Sequence, residues 1–151
     1  MAFLVLLTIS SRAEPLPDEV REVLGRFVGQ WEVTVLVNGR ESRGLAEAAW
    51  TMEGTYVEFR SRTIPPGDSD LQVMTWSDGK YRQWLFDSSG YRHEAIGVWD
   101  THHKTLVWTA PDLVIVDRWV SPDRLEWLME RQARRLSGVV VRRSPAPGSK
   151  P

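Results

Sequence analysis

From Leu16 to Phe27 the apolar positions repeat with a helical period. Leu16, Val20, Val23, Leu24 and Phe27 stand at i, i+4, i+7, i+8 and i+11, which is one face of an α-helix. Pro17 suits a first helical turn, and Asp18 and Glu19 suit the positive end of its dipole. Gly25 weakens the last turn and Gly29 ends it. Beyond Gly29 the period changes. Short runs rich in β-branched and aromatic residues predict strands near 31–38, 43–52, 55–64, 71–77, 80–87, 91–99, 104–109, 112–120, 124–132 and 137–143. Asn38-Gly39 and Asp78-Gly79 are strong hairpin signals, because both central residues of a type I′ turn need positive φ. Ser88-Ser89-Gly90, Asp100-Thr101-His102-His103 and Ser121-Pro122-Asp123 mark further turns. The separator Pro65–Asp70 reads as an open loop at a rim.

Strands joined by tight hairpins are neighbours in space as well as in sequence. Such a meander has two exposed edges unless its first and last strands meet. The fold class expected is therefore all-β: a closed antiparallel up-and-down barrel of about ten strands, with the short helix closing one end. A two-sheet sandwich of the same strands is the alternative. Alternation supports one inward face in three places. Trp31, Val33, Val35 and Val37 oppose Glu32 and Thr34; Ala46, Ala48, Trp50 and Met52 oppose Glu47 and Thr51; Leu125, Trp127 and Met129 oppose Glu126 and Glu130. In 81–87 large groups stand on both faces (Tyr81 and Leu85 against Trp84 and Phe86), which suggests a strand covered outside by the helix or by a partner subunit.

Composition changes this picture in one respect. The chain of 151 residues holds eight tryptophans, and hardly a strand lacks one. A wide ring with a single N–H suits curved sheets and cavity walls, where a large side chain must fill space. Lining of a ligand cavity is expected from Trp50, Phe59, Trp76, Trp84, His93, Trp99, Trp119 and Trp127. The formal charge of -1, from 19 basic and 20 acidic residues, offers no field for a phosphate backbone, so nucleic acid is not expected as a partner. The pairs Arg134-Arg135 and Arg142-Arg143 read as solvated strand ends. With no cysteine, disulfides, thiolate catalysis and cysteine-ligated metals are excluded.

The two ends differ from the rest. Residues 1–13 join an apolar run to Ser11-Arg12-Ala13, a possible signal-peptidase site without a basic start. If this is a signal peptide, the protein is exported to the periplasm or beyond; otherwise it is cytoplasmic. The barrel domain would occupy 14–143, and the proline-rich 144–151 would be a disordered tail. No apolar stretch is long enough for a membrane-spanning helix.

Gly29-Gln30-Trp31, directly after a short helix and at the start of the first strand, resembles the Gly-x-Trp signature of lipocalins. Phe27–Glu32, Trp50–Tyr56, Gly97–Asp100 and Arg118–Asp123, taken in order, look like an uncharacterised bacterial lipocalin-like, calycin-type family of unknown function. The resemblance implies that Trp31 packs across the barrel floor beside Gly29 and that the helix closes that end. It implies no settled chemistry. Some ten-stranded barrels of similar outline bind heme through a histidine, but this chain lacks the glycine-rich opening and spaced histidines of that group. No cofactor and no metal site is expected.

Direct catalytic signatures are missing too. No nucleophile elbow, phosphate loop or dinucleotide fingerprint occurs, and His93-Glu94 has no second histidine at zinc-protease spacing. His102 and His103, adjacent in a turn with Asp100, are poorly placed to converge on one metal. The function expected is binding of a small hydrophobic or amphipathic ligand, by a monomer or homodimer. Two alternatives stay open: a packed barrel with a structural or interaction role, and an enzyme using His93, Glu58, Arg60, Asp117 and Arg118 inside the cavity. Asp117 with Arg118, and Glu58 with Arg60, also read as cross-strand ion pairs.

Overall fold

Each β-rich run becomes a strand, because β-branched and aromatic side chains pack well on a pleated surface and the intervening turn residues let the chain reverse. The computed structural model describes residues 15–144; the apolar run 1–13, Glu14 and residues 145–151 of the tail lie outside it. A helix α1 (Asp18–Gly25) precedes β1 (Gly29–Val37), β2 (Arg40–Thr51), β3 (Tyr56–Ile64), β4 (Ser69–Ser77) and β5 (Lys80–Asp87). There follow β6 (Arg92–Asp100), β7 (Thr105–Ala110), β8 (Leu113–Ser121), β9 (Arg124–Arg131) and β10 (Arg134–Arg142). Every pair is antiparallel, and β1 pairs with β10 in register Trp31 to Arg142 and Val33 to Val140. The strands form a closed barrel, and the sandwich alternative is overturned. Asn38-Gly39 and Asp78-Gly79 adopt φ of 50° and 76°, and of 52° and 71°, as their hairpins require.

All five residues of the predicted helical face are buried. The helix lies across one end of the barrel. Phe27, just beyond it, meets Trp119 of β8 edge-on, while Arg21 and Arg26 sit over Trp50 of β2 and Trp99 of β6. Contacts with strands so widely spaced around the ring are possible only for an element spanning its opening. Arg142 locks the same end. Its Nη1 donates to the Val28 carbonyl at 2.8 Å, and its guanidinium lies 4.1 Å from the Trp31 ring. Arg142 is therefore not the solvated strand end its sequence context suggests. Gly29 makes room for it: at φ 143° a Cβ there would stand 2.2 Å from Arg142 Nη1.

Strand 80–87 keeps strict alternation after all. Its register sets Tyr81, Gln83 and Leu85 against Gly97, Ala95 and His93 on the inner face, leaving Arg82, Trp84 and Phe86 outside. Residues with bulk on both faces had obscured a parity that a buried glutamine completes. The helix covers the barrel's end, so it does not explain the outer Trp84. Met52, grouped with the inward residues, instead belongs to a short 3-10 turn (Met52–Gly54) and is exposed.

Indoles fill the middle of the barrel where a neighbouring strand has no side chain. A Cβ on Gly97 would come within 2.7 Å of the Trp108 ring and 2.8 Å of Tyr81 Cβ. Both are fully or nearly buried and cannot retreat. Gly97→Ala is thus expected to lower stability by about 1–3 kcal/mol through overpacking, measured by urea unfolding. A neutral or stabilising result would refute the close contact.

Candidate functional site

The two halves of the interior differ. At the helix end, Trp31, Trp50, Trp76, Tyr81, Trp99 and Trp119 face inward and pack into a plug. Trp31 is 1% exposed, its Nε1 donates to the Phe27 carbonyl at 2.8 Å, and its ring lies 5.9 Å from that of Trp119. Trp76 meets Tyr81 edge-on at 4.8 Å. Above the plug, Asp117 of β8 is buried and accepts a 2.9 Å hydrogen bond from Trp108 Nε1.

Toward the opposite rim the inward residues are unevenly covered: Leu113 and Ile115 of β8 stay buried, at 2% and 8% exposed, while others keep part of their surface open. Val35, Trp127, Met129 and Leu136, from β1, β9 and β10, point inward by register and are only partly buried, the first three against the edge of the core. The Trp127 indole lies against Gly138, where a Cβ would stand 2.6 Å from the ring. By strand order this apolar wall stands across the barrel from β4, β5 and β6. There the inner face is polar. Ser61 Oγ donates to Asp70, and Gln72 Nε2 donates to Asp70 Oδ1 at 3.2 Å. Gln83 Nε2 donates to Gln72 Oε1 at 2.9 Å, and His93 Nε2 stands 3.4 Å from Gln83 Oε1. This chain of hydrogen bonds crosses four strands, β3 to β6. It ends at His93 Nδ1, a buried nitrogen without a partner among the described residues. Nearby, the Tyr91 hydroxyl is also buried and unpartnered, and the Arg131 guanidinium lies 3.6 Å over the Tyr91 ring. A groove of about 370 Å³ runs over the rim and the outer face there, along Arg60, Arg62, Leu71 and Phe86 as well as Ser61, Asp70 and Asp87, and is separate from the interior wall.

Burial and register thus outline a recess, the cup, filled at the helix end and less fully covered toward the other rim, apolar along β1, β9 and β10 and polar along β3 to β6.

Electrostatics follow from this burial. Burial pushes the Asp70 carboxyl up; the bonds from Ser61 and Gln72 oppose it, and the facing Asp87 adds to it. Burial holds the His93 imidazole below its ordinary value, with Asp112 opposing and Arg131 reinforcing, so the ring is neutral at pH 7. Burial also pushes Asp117 up to about 7, against the stabilising bond from Trp108.

The residues expected to line a cavity are therefore scattered over three places. Trp127 and His93 line the cup. Phe59 is buried in the mid-barrel, paired with Ala48 and Gln72. Trp50, Trp76, Trp99 and Trp119 belong to the plug and its contact with the helix, so they fill space there and do not border the cup. Trp84 stands on the outer wall between Val73 and Glu94 and lines nothing inside. The set expected for an enzyme is also divided. Glu58 and Arg60 pair with each other at 2.5 Å on the outer face, along one strand and not across two. Arg118, also outside, pairs with Glu126 at 2.5 Å, leaving Asp117 alone within. Only His93 and Asp117 of the five face inward. His103 Nδ1 and Asp100 Oδ2 close at 2.7 Å within their turn. Among the described residues no group of three potential ligands converges on a metal position.

Sequence reasoning missed Ser61, Asp70, Gln72 and Gln83. Their parity with Phe59, Met74 and Tyr81 was the available signal, but a polar residue on an apolar face reads as noise until its partners on other strands are known.

The fold defines a class, the closed ten-stranded antiparallel barrel with one helix across its floor. No known protein family matches the sequence. No curated protein matches it either. Among solved structures the chain is similar to a redesigned β-barrel, at 13% identity and a TM-score of 0.49 over 83% of this chain and 96% of that one. It is also similar to a de novo designed fluorescence-activating β-barrel, at 20% identity and a TM-score of 0.48 over 80% and 97% of the two chains. Among the described residues no helix is long and apolar enough to cross a membrane.

Proposed function

We propose that this chain is a binding barrel that takes a small amphipathic molecule into its less covered half. The apolar part lies against Val35, Trp127, Met129 and Leu136, and the polar part against His93, Gln83 and Gln72. One observation carries the reading: apolar side chains aimed into the barrel are only partly buried, across the ring from a hydrogen-bonded polar chain that ends on a buried, unpartnered atom. A pocket that is mostly apolar with a few convergent polar groups is the usual form of a small-molecule site. The helix over Trp31 and Gly29 supports kinship with lipocalin-like barrels, in which a helix closes one end.

Tryptophan emission tests it. Fatty acids, fatty alcohols, retinoids and porphyrins titrated into the protein should include at least one giving saturable quenching at micromolar concentration. Trp127→Phe should remove most of that signal, because Trp127 borders the cup while the other inward indoles lie below it. Emission unchanged by the whole panel would defeat the proposal. The plug of indoles at the helix end favours a second reading, a rigid scaffold with no ligand, and that result would support it.

A further inference from the structure

The polar wall has a direction, and the direction selects a ligand. A carboxylate only accepts hydrogen bonds. Asp70 takes one from the Ser61 hydroxyl and one from Gln72, so Gln72 must turn its amide nitrogen toward Asp70 and its carbonyl oxygen toward Gln83. That oxygen accepts from Gln83 Nε2, which leaves Gln83 Oε1 facing His93 Nε2. Gln83 is 1% exposed, so its oxygen has no solvent to turn to. An oxygen there requires a proton on His93 Nε2. A neutral imidazole carries one ring proton, and His93 Nδ1 is then a bare lone pair, buried and without a partner. Leaving such an acceptor unpaired is costly, and a ligand that donates to it recovers that loss.

Building on the binding reading above, we infer that the cup selects a neutral hydrogen-bond donor, an alcohol or phenol hydroxyl on an apolar body, and disfavours carboxylates. A carboxylate has no proton to give His93 Nδ1 and would approach the same wall as Asp70 and Asp87. An ammonium would donate too, but it gives up far more hydration than a hydroxyl on entering, and it would meet the Arg131 guanidinium over Tyr91, which Asp112 pairs at 3.3 Å. The uncharged hydroxyl meets neither obstacle. It also keeps an oxygen free to accept from the Tyr91 hydroxyl, the other unpartnered polar atom of this rim.

Two measurements test this separately from binding itself. The first needs no ligand. Histidine 15N spectra at about pH 8, where a carboxylate is ionised, should show His93 protonated at Nε2 and bare at Nδ1. A proton on Nδ1 would overturn the inference whatever binds. The second compares decanol, methyl decyl ether and decanoate by quenching of Trp127. Decanol should bind about tenfold more tightly than the ether, and decanoate should bind more weakly than decanol. In His93→Phe the preference for decanol over the ether should disappear, and a preference that persists at its original level of about tenfold would sink the hydroxyl inference. Equal binding of all three compounds by the unaltered protein would sink the hydroxyl inference and leave the cup as a binding site. Failure of all three to bind would sink both.

Discussion

Trp31→Ala lowers the unfolding free energy by about 3–5 kcal/mol, the range for truncating a fully buried large aromatic residue. Three contacts place it there. The ring is 1% exposed and meets Trp119; its Nε1 satisfies the Phe27 carbonyl; its face receives Arg142. Alanine would leave a cavity at the floor and orphan that carbonyl where the chain leaves the helix. Arg142 would lose its aromatic partner while still tied to the Val28 carbonyl. Guanidinium unfolding followed by circular dichroism measures the change. A loss below about 1 kcal/mol would mean that the floor is not assembled around this ring.

Stability should also fall as pH rises from about 4 to about 7, because of Asp117. Burial raises its carboxyl to about 7 in the folded chain, against an ordinary value near 3.9 when unfolded. Between those values the folded state holds a proton that the unfolded state has released. Raising the pH therefore favours unfolding across the window, and above it the effect is constant. A gap of about three units corresponds to on the order of 4 kcal/mol. Asp117→Asn keeps the size and can still accept from Trp108 Nε1, but cannot ionise. Its stability should exceed that of the unaltered protein above pH 7, and the difference should shrink toward pH 4. Denaturant midpoints for the two proteins across this range give the answer. Parallel curves would show that Asp117 does not titrate in the window.

The fold was largely legible because its determinants are local. Leu16, Val20, Val23, Leu24 and Phe27 carry a 3.6-residue period over a contiguous stretch, and all five are buried. Asn38-Gly39 and Asp78-Gly79 set two hairpins through backbone angles that few other dipeptides accept, and runs of β-branched residues did the rest. Gly29 and Trp31 announced the floor, since a helix followed at once by a strand leaves one short segment to make the corner.

The site was much less legible. Trp84 and Trp127 are the same residue type in comparable strands, yet one faces outward and the other lines the cup. In strand 80–87 nothing local separates the faces, because Tyr81 and Leu85 are no more apolar than Trp84 and Phe86. The choice follows from pairing with Met74 and Ala95, which are 0% and 1% exposed. Asp117 and Arg118 looked like an ion pair, but adjacent residues in a strand point to opposite faces. Closure then put one in the dark with Trp108 and the other in water with Glu126.

The sequence alone determined that ten short strands and one capping helix would form, since periodicity, turn chemistry and strand propensity act over a few residues. Only the closed tertiary structure decided which half of the barrel is filled and which is less fully covered. It also decided that Ser61, Asp70, Gln72, Gln83 and His93 meet along one wall. All of their contacts except that between Asp70 and Gln72, which share β4, join residues on different strands, and the register of neighbouring strands is a property of the whole ring that no single segment encodes.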